Sequence, residues 1–500
     1  MISELPGATL LDPGDPEIGG VTCDSRRVRP GDLFAAVRGT LADGHLYLEA
    51  AARAGAAACL VEEERPAFGL PRVRVADSEA ALGLASSAFW GHPSRRLLLV
   101  GLTGTNGKTT TAYLIQRILE EQNICTGRLG TVSYCFPTRE EPAPLTTPDA
   151  PTLQRALARM LAEGARAAVM EVSSHSLARR RVEGCAFSCA VFTNLTQDHL
   201  DYHGSMETYY EAKKVLFTRY RREAPAVVNA EDPWGRRLLG ELSGSVISYG
   251  LESGDVRFEV EDLGASGAAG RLRYPGGETP LSIPLAGAFN AQNAAAAMAT
   301  AWALELDLER AAETLGRAPQ VPGRLEAVGN DAGLSVYVDY AHTPDALERV
   351  LEAVRAVARG RVLCVFGCGG DRDRGKRPLM ARAAAALADA VVLTADNSRS
   401  EPTEAILDAI QAGLPREWRH ASAEDFPEAL EGGGPSFARV PDRAAAIRLA
   451  LFSARPGDAV VIAGKGHETT QDIGGVKTPF DDREVAREAL AERLSGGGKA

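Results

Sequence analysis

Short, unbroken apolar runs recur along the chain, and most lead through a glycine-rich turn into a stretch with helical periodicity. In the middle of the chain they fall at 97–100, 167–170 and 189–192; from about Leu325 they resume at 335–339, 362–366, 390–393 and 459–462. Apolar strands alternating with amphipathic helices predict parallel sheets covered on both faces. The spacing predicts an α/β protein of three domains. Residues 1–95 form a small α/β unit, with an apolar run at 32–37 and an alanine-rich helix over 48–58. Residues 96–325 form a parallel-sheet unit around a glycine-rich loop, and 326–500 a doubly wound, Rossmann-like unit. Residues 245–285 read as short strands in an antiparallel patch beside the central sheet, and the end, 495–499, is expected to fray.

Composition narrows the class. A chain of 500 residues exceeds one ordinary core, and 45% hydrophobic with 24% charged residues is soluble globular composition. The start, Met1-Ile2-Ser3-Glu4-Leu5, lacks a signal-peptide pattern, and no run reaches the roughly 18 apolar residues of a membrane span. A cytoplasmic location without membrane attachment is expected. The net charge of −11 argues against a nucleic-acid surface or motor. The eight cysteines contain no CxxC pair, so Cys185, Cys189, Cys364 and Cys368 are expected to be reduced core residues.

The strongest chemical signal is Gly101-Leu-Thr-Gly104-Thr105-Asn106-Gly107-Lys108-Thr109-Thr110. A strand ends, glycines let the backbone wrap a phosphate chain, and a helix starts with its N–H groups aimed at the anion. Lys108 is expected on the β/γ-phosphates and the hydroxyl of Thr109 or Thr110 on Mg²⁺. The strict spacing wants glycine at Leu102, so the loop is a variant. Alone it indicates a nucleoside triphosphate and leaves the reaction open.

Further blocks follow in order: Glu171-Val-Ser-Ser-His175, Thr193-Asn-Leu-Thr-Gln-Asp-His199, Tyr209-Tyr-Glu-Ala-Lys213, Asn290-Ala-Gln-Asn293, Gly323-Arg324 and Asp339-Tyr-Ala-His342. With the loop, this set resembles the Mur ligase family, which includes folylpolyglutamate and cyanophycin synthetases. The resemblance covers about residues 20–490. It implies that ATP turns a carboxylate into an acyl phosphate, which an amine then attacks. Both steps build negative charge, so cations should surround the site. The resemblance places Glu171 and His199 on Mg²⁺ and makes Lys213 an N6-carboxylysine, a carbamate that serves as a metal ligand. Lys214 is its neighbouring rival. It also puts Asn293, Arg324 and Asp339 on ATP, while His342 is either catalytic or only local structure before the helix start Thr343-Pro344-Asp345.

The C-terminal third is narrower. Phe366-Gly-Cys-Gly-Gly-Asp-Arg372-Asp-Arg-Gly-Lys-Arg377, Asp396-Asn397-Ser398-Arg399 and Gly464-Lys-Gly-His-Glu468 each follow a predicted strand end. They resemble the members that add the third residue of the peptidoglycan stem peptide. Arg372 and Arg399 suit carboxylates, and Asp396 and Glu468 suit ammonium groups. Diaminopimelate-using members carry proline where Ser398 stands. Meso-diaminopimelate is the first choice of acceptor, with lysine or ornithine behind it. Ser25, within Asp24-Ser25-Arg26, resembles the uridine-diphosphate site, with Thr40-Leu41 replacing a more polar pair nearby. Thr146, Thr147, Ser173, Arg179 and Arg181 resemble contacts to a UDP-MurNAc-L-Ala-D-Glu substrate. The resemblance further implies a monomer working on small molecules. The competing readings are a folate polyglutamate ligase, which shares the first blocks, and a regulatory nucleotide-binding module, which would have no use for Lys213.

Overall fold

The computed structural model describes residues 1–39, 42–66, 68–221, 223–264 and 267–496. Thr40-Leu41 and residues 497–499 of the expected frayed end lie outside the described residues.

Three main sheets follow one another along the chain. The first has five strands, four of them parallel: Gly20–Thr22, Asp32–Ala35, Ala58–Val61 and Arg72–Arg74. Thr9–Leu10 adds an antiparallel edge. The alanine-rich run at 48–58 does not stay helical as expected. Helix Leu48–Arg53 stops before Gly55, which takes a φ of 93°, and Ala58–Val61 becomes a fully buried strand. Burial between two strands outweighs the helix preference of alanine.

The second sheet has eleven strands. Its parallel centre runs Val246–Gly250, Ala226–Asn229, Cys189–Phe192, Leu98–Thr103, Ala167–Glu171 and Thr126–Leu129. Val256–Gly264, Gly267–Tyr274 and Gly277–Ile283 extend one edge. The antiparallel strands expected beside the central sheet over 245–285 are there, hydrogen-bonded to its edge, while Val246–Gly250 belongs to the parallel centre. At the other edge, Ser133–Phe136 and Arg139–Pro142 form an antiparallel hairpin. Helices Lys108–Glu121 and Ala288–Ala303 cover one face, and Ala150–Ala162 with Met206–Val215 the other. Ala288–Ala303 buries seven alanines, whose small side chains let it lie close on the sheet.

The third sheet has seven strands: Glu326–Ala327, Ser335–Asp339, Ala459–Ala463, Val362–Phe366, Ala390–Leu393, Ser436–Arg439 and Arg419–Ala421, all parallel but the first. The four cysteines singled out above are buried and free. Among the described residues no helix is long and apolar enough to cross a membrane.

Candidate active site

The loop between Leu98–Thr103 and helix Lys108–Glu121 is shaped by two glycines. Gly107 caps the helix at φ 84°, where a Cβ would come within 2.4 Å of Asn293 Oδ1. At Gly104 a Cβ would lie 1.9 Å from Thr193 Oγ1. Neither position has room for a side chain, so the backbone itself lines the site. Lys108 Nζ donates to the carbonyls of Gly104 and Thr105 at 2.8 Å each.

Glu171 is the last residue of its strand, which pairs with the loop-bearing strand Leu98–Thr103, and is 1% exposed. Its Oε2 accepts from Thr109 Oγ1 at 3.1 Å and Thr131 Oγ1 at 3.0 Å, and its Oε1 from Thr131 N at 2.9 Å. Arg324 Nη2 donates to Thr109 Oγ1 at 2.9 Å, and its guanidinium lies 4.8 Å from the Tyr340 ring centre. Asp339 ends its strand buried, accepting from Leu325 N at 2.5 Å and Ala341 N at 2.7 Å; burial raises its pKa to about 6.

Lys213 lies on Met206–Val215, which continues into a π-helical turn over Leu216–Tyr220. It is 1% exposed, and its Nζ donates to Gly104 O at 2.8 Å, the oxygen Lys108 also uses. Burial and then the neighbouring Lys108 charge hold its pKa well below the ordinary lysine value. Lys214 points elsewhere, pairing with Glu211 at 3.1 Å and Glu241 at 3.0 Å. His199 does not end a strand. It caps the short helix Leu200–His203 at φ 53°, beside Asp198 at 3.3 Å and the ring of His175 at 4.7 Å.

One cavity of about 240 Å³ is lined by Gly104–Thr110, Glu171, His199, Lys213, Asn293, Arg324, Asp339 and His342, with Thr146 and Ser173 at its margin. Thr146 meets Thr131 Oγ1 at 3.1 Å; Thr147 Oγ1 donates to Glu171 O at 2.8 Å and accepts from Ser173 N at 3.0 Å. Arg181 Nη1 donates to Thr147 O at 3.0 Å. Arg179 is held by the first unit instead, pairing with Glu79 at 2.5 Å and donating to Arg38 O at 3.4 Å. Ser25 opens a short 3₁₀ turn where Asp24 grips Arg26 at 2.9 Å.

A second cavity, of about 910 Å³, lies between the Ser133–Pro142 hairpin and the third sheet. Asn397, Arg399 and Glu468 line it, as do His467 and Thr131. Arg399 has a φ of 51° and donates to Gly370 O at 2.7 Å. Ser398 is buried, its hydroxyl 2.7 Å from Thr403 Oγ1. Asp396 and Gly464 sit behind this wall: a Cβ on Gly464 would lie 2.5 Å from Asp396 Oδ2. Arg372 is exposed and does not line the cavity. Sequence reasoning missed Thr131, Lys465 and Arg443. It also missed Asp345 as a contact, although Asp345 Oδ2 accepts from Asn106 Nδ2 of the phosphate loop at 2.8 Å. Only the motif Gly464-Lys465 pointed toward any of them.

Three family models match successive parts of the chain: a Mur ligase family catalytic domain at 17–90, the Mur ligase middle domain at 102–301, and the Mur ligase glutamate ligase domain at 323–466. The UDP-N-acetylmuramoyl-L-alanyl-D-glutamate–2,6-diaminopimelate ligase of Geobacter metallireducens is 46% identical over 99% of this chain and 97% of its own. The enzyme of the same name from Gloeobacter violaceus is 46% identical over 99% of each chain. A solved structure of a ligase with this name is 33% identical, covers 95% of each chain and superposes with a TM-score of 0.66. MurF ligase from Thermotoga maritima in complex with ADP, 18% identical with a TM-score of 0.62 over 96% of this chain and 98% of its own, shares the fold. A chain whose phosphate loop, buried strand-end glutamate and linker arginine share one cavity, and whose whole length these relatives match, belongs to the Mur ligase family.

Proposed function

We propose that the chain joins meso-diaminopimelate to UDP-MurNAc-L-Ala-D-Glu, splitting ATP to ADP and phosphate through an acyl phosphate, in peptidoglycan precursor synthesis. The supporting observation is Thr131. It lines both cavities and donates through both its N–H and its hydroxyl to Glu171, so the nucleotide site and the Arg399 pocket share one wall. The acyl phosphate and the attacking amine then meet across a single residue, which is the proximity the reaction requires.

Residues 1–95 hold the uridine diphosphate through Ser25. Residues 96–325 hold ATP, and 326–500 the acceptor. Thr146, Thr147, Ser173 and Arg181 bind the dipeptide end, while Arg179 acts from its Glu79 pair at the unit boundary. Arg399, Asn397 and Glu468 face the acceptor; Asp396, Ser398 and Gly464 shape that wall, and Arg372, exposed outside the cavity, would meet the acceptor only on reorienting. The protein acts as a cytoplasmic monomer on small molecules.

The donor set around the phosphate loop suits Mg²⁺. Thr109 and Glu171 would supply hard oxygens at the helix start, and Lys213 as a carbamate with His199 would add donors from the same cavity. Bound there, the ion would polarise the transferring phosphoryl group and offset its charge. Lys108 and Arg324 add fixed positive charge at the same place, and Asn293 keeps the loop in register through Thr111 at 3.2 Å. Asp339 orients the linker that carries Arg324 through Leu325 N.

Phosphate release measured with ATP and UDP-MurNAc-L-Ala-D-Glu against diaminopimelate, lysine, ornithine and a folate tests the proposal. Diaminopimelate should give the highest kcat/KM; release that depends only on a folate would overturn it.

A further inference from the structure

Lys465 is a buried ammonium at the wall of the acceptor pocket, its side chain 0% exposed. Its Nζ donates to Glu468 Oε2 at 2.8 Å and to Asn397 Oδ1 at 3.1 Å. Asn397 Nδ2 donates to the same Glu468 oxygen at 2.8 Å, and Asn397 Oδ1 also accepts from Asp472 N at 2.9 Å. One oxygen of Glu468 is therefore engaged twice from inside the protein, while Glu468, 30% exposed at its side chain, still lines the cavity.

Behind this wall a second buried cation is cancelled locally. Arg443 grips Asp482 with two bonds of 2.7 Å, both side chains 0% exposed. It also donates to Ala395 O at 3.2 Å and Ala463 O at 2.9 Å, the residues just before Asp396 and Gly464. Across the Thr470–Pro479 hairpin, Asp472 lies opposite Lys477. With Arg443 matched by Asp482, and with Glu140, Glu141 and Arg483 of the cavity lining paired to Arg128, Arg159 and Asp481, the charges left at this wall are Asp396, Glu468 and Asp472 against Lys465 and Lys477, so one negative charge remains beside Arg399. Burying an ammonium carries a desolvation penalty. A neutral amide would brace the loop without that penalty, so charge balance is what the lysine adds.

We propose that Lys465 is a positioning and specificity-determining residue for the acceptor. By neutralising one of two carboxylates it leaves the pocket with one negative charge next to one guanidinium, matched to an acceptor whose far end carries both an ammonium and a carboxylate. An acceptor ending in an ammonium alone leaves Arg399 without a partner. This rests on the diamino-acid ligase reading. Without Lys465 the wall gains a net negative charge and favours the bare ammonium over the zwitterion.

The test compares Lys465→Met and Lys465→Arg with the wild type, measuring phosphate release with ATP, UDP-MurNAc-L-Ala-D-Glu and either meso-diaminopimelate or L-lysine. Lys465→Met should raise KM for diaminopimelate about tenfold or more, leave KM for ATP unchanged, and shift the kcat/KM ratio toward lysine by about tenfold, the weight of one charge-assisted hydrogen bond. Lys465→Arg should restore the ratio. An unchanged ratio overturns the inference, and so does a parallel rise in KM for ATP. If Lys465→Met does not fold, Lys465→Gln, which keeps a donor toward Asn397, reads the same ratio. Failure of both to fold while Lys465→Arg folds marks a purely structural lysine and also overturns the inference. A wild type that releases phosphate with neither acceptor defeats the ligase reading itself, before any variant is compared.

Discussion

Replacing Lys213 by alanine should cost far more than a buried lysine's packing. Its Nζ and that of Lys108 both lie 2.8 Å from Gly104 O, so they stand at most about 5.6 Å apart. Two like charges at that separation repel by about 3 kcal/mol at an effective dielectric of about 20. The repulsion and the burial both favour the uncharged amine, the form that adds carbon dioxide. Once Lys213 carries the carbamate, the same geometry turns repulsion into attraction of similar size. Lys213→Ala removes the anion and should lower the phosphate-release rate about a hundredfold or more, within the range seen when one preorganised electrostatic group is lost. Short carboxylic acids that fit the vacated space should restore part of the rate, and ¹³C-bicarbonate should give a carbamate carbon resonance in the wild type only. A variant that retains the rate within about threefold, or a wild type without that resonance, would refute the reasoning.

Gly107→Ala places a side chain at φ 84° against Asn293 Oδ1, with about 1–2 kcal/mol of backbone strain; KM for ATP should rise at least about tenfold, and unchanged ATP binding by calorimetry would count against the loop assignment. Arg324→Ala removes the bond to Thr109 and the stacking on Tyr340, worth about 1.5–3 kcal/mol, so steady-state kinetics should show KM for ATP rising about tenfold to a hundredfold. Ser398→Ala leaves Thr403 Oγ1 without its partner and loosens the turn that carries Arg399; KM for diaminopimelate should rise while KM for ATP holds, which steady-state kinetics with each substrate varied in turn would check. Burial lowers the pKa of His203 in the folded chain to about 4, below its ordinary 6.5, so the unfolded chain binds the proton more tightly. This contribution is full above about pH 6.5 and is lost as pH falls toward 4; His199 and His467 shift the same way, so a thermal-unfolding series should show the slope and His203→Gln should lessen it.

The parts of the fold set by continuous apolar runs were legible in the chain. Leu98–Thr103, Ala167–Glu171, Val362–Phe366 and Ala459–Ala463 are strands buried on both faces, where hydrophobicity alone decides. The segment 48–58 misled because alanine carries no period strong enough to separate helix Leu48–Arg53 from strand Ala58–Val61. The antiparallel strands from Val256 to Ile283 were visible as strands, but their junction with the main sheet depends on Tyr249 meeting Val256, a pairing that no local pattern encodes. The alternation of exposed and buried positions in Glu278–Ile283 marks a half-exposed strand and says nothing about its neighbour.

The site divides along the same line. The residues proposed to hold the phosphate chain come from one contiguous loop, so their spacing carries the chemistry and Lys108 stands out in the sequence. Residues that connect sites come from distant elements and carry no spacing. Thr131 sits in an ordinary turn after Thr126–Leu129, and only the fold brings its N–H and hydroxyl to Glu171, 40 residues away. Asp345 resembled a first-turn helix acid, which it is; yet its Oδ2 also accepts from Asn106 across 239 residues and from Thr196 Oγ1 at 3.1 Å. Through Asp345 the third unit contacts the phosphate loop directly. Helix Pro344–Val357 carries Asp345 and packs in the same core as the third sheet, so these bonds tie the loop to the unit that carries Asn397 and Glu468. Those two bonds join segments that a reader of the chain has no means to pair, because the contact exists only once the two units are folded against each other.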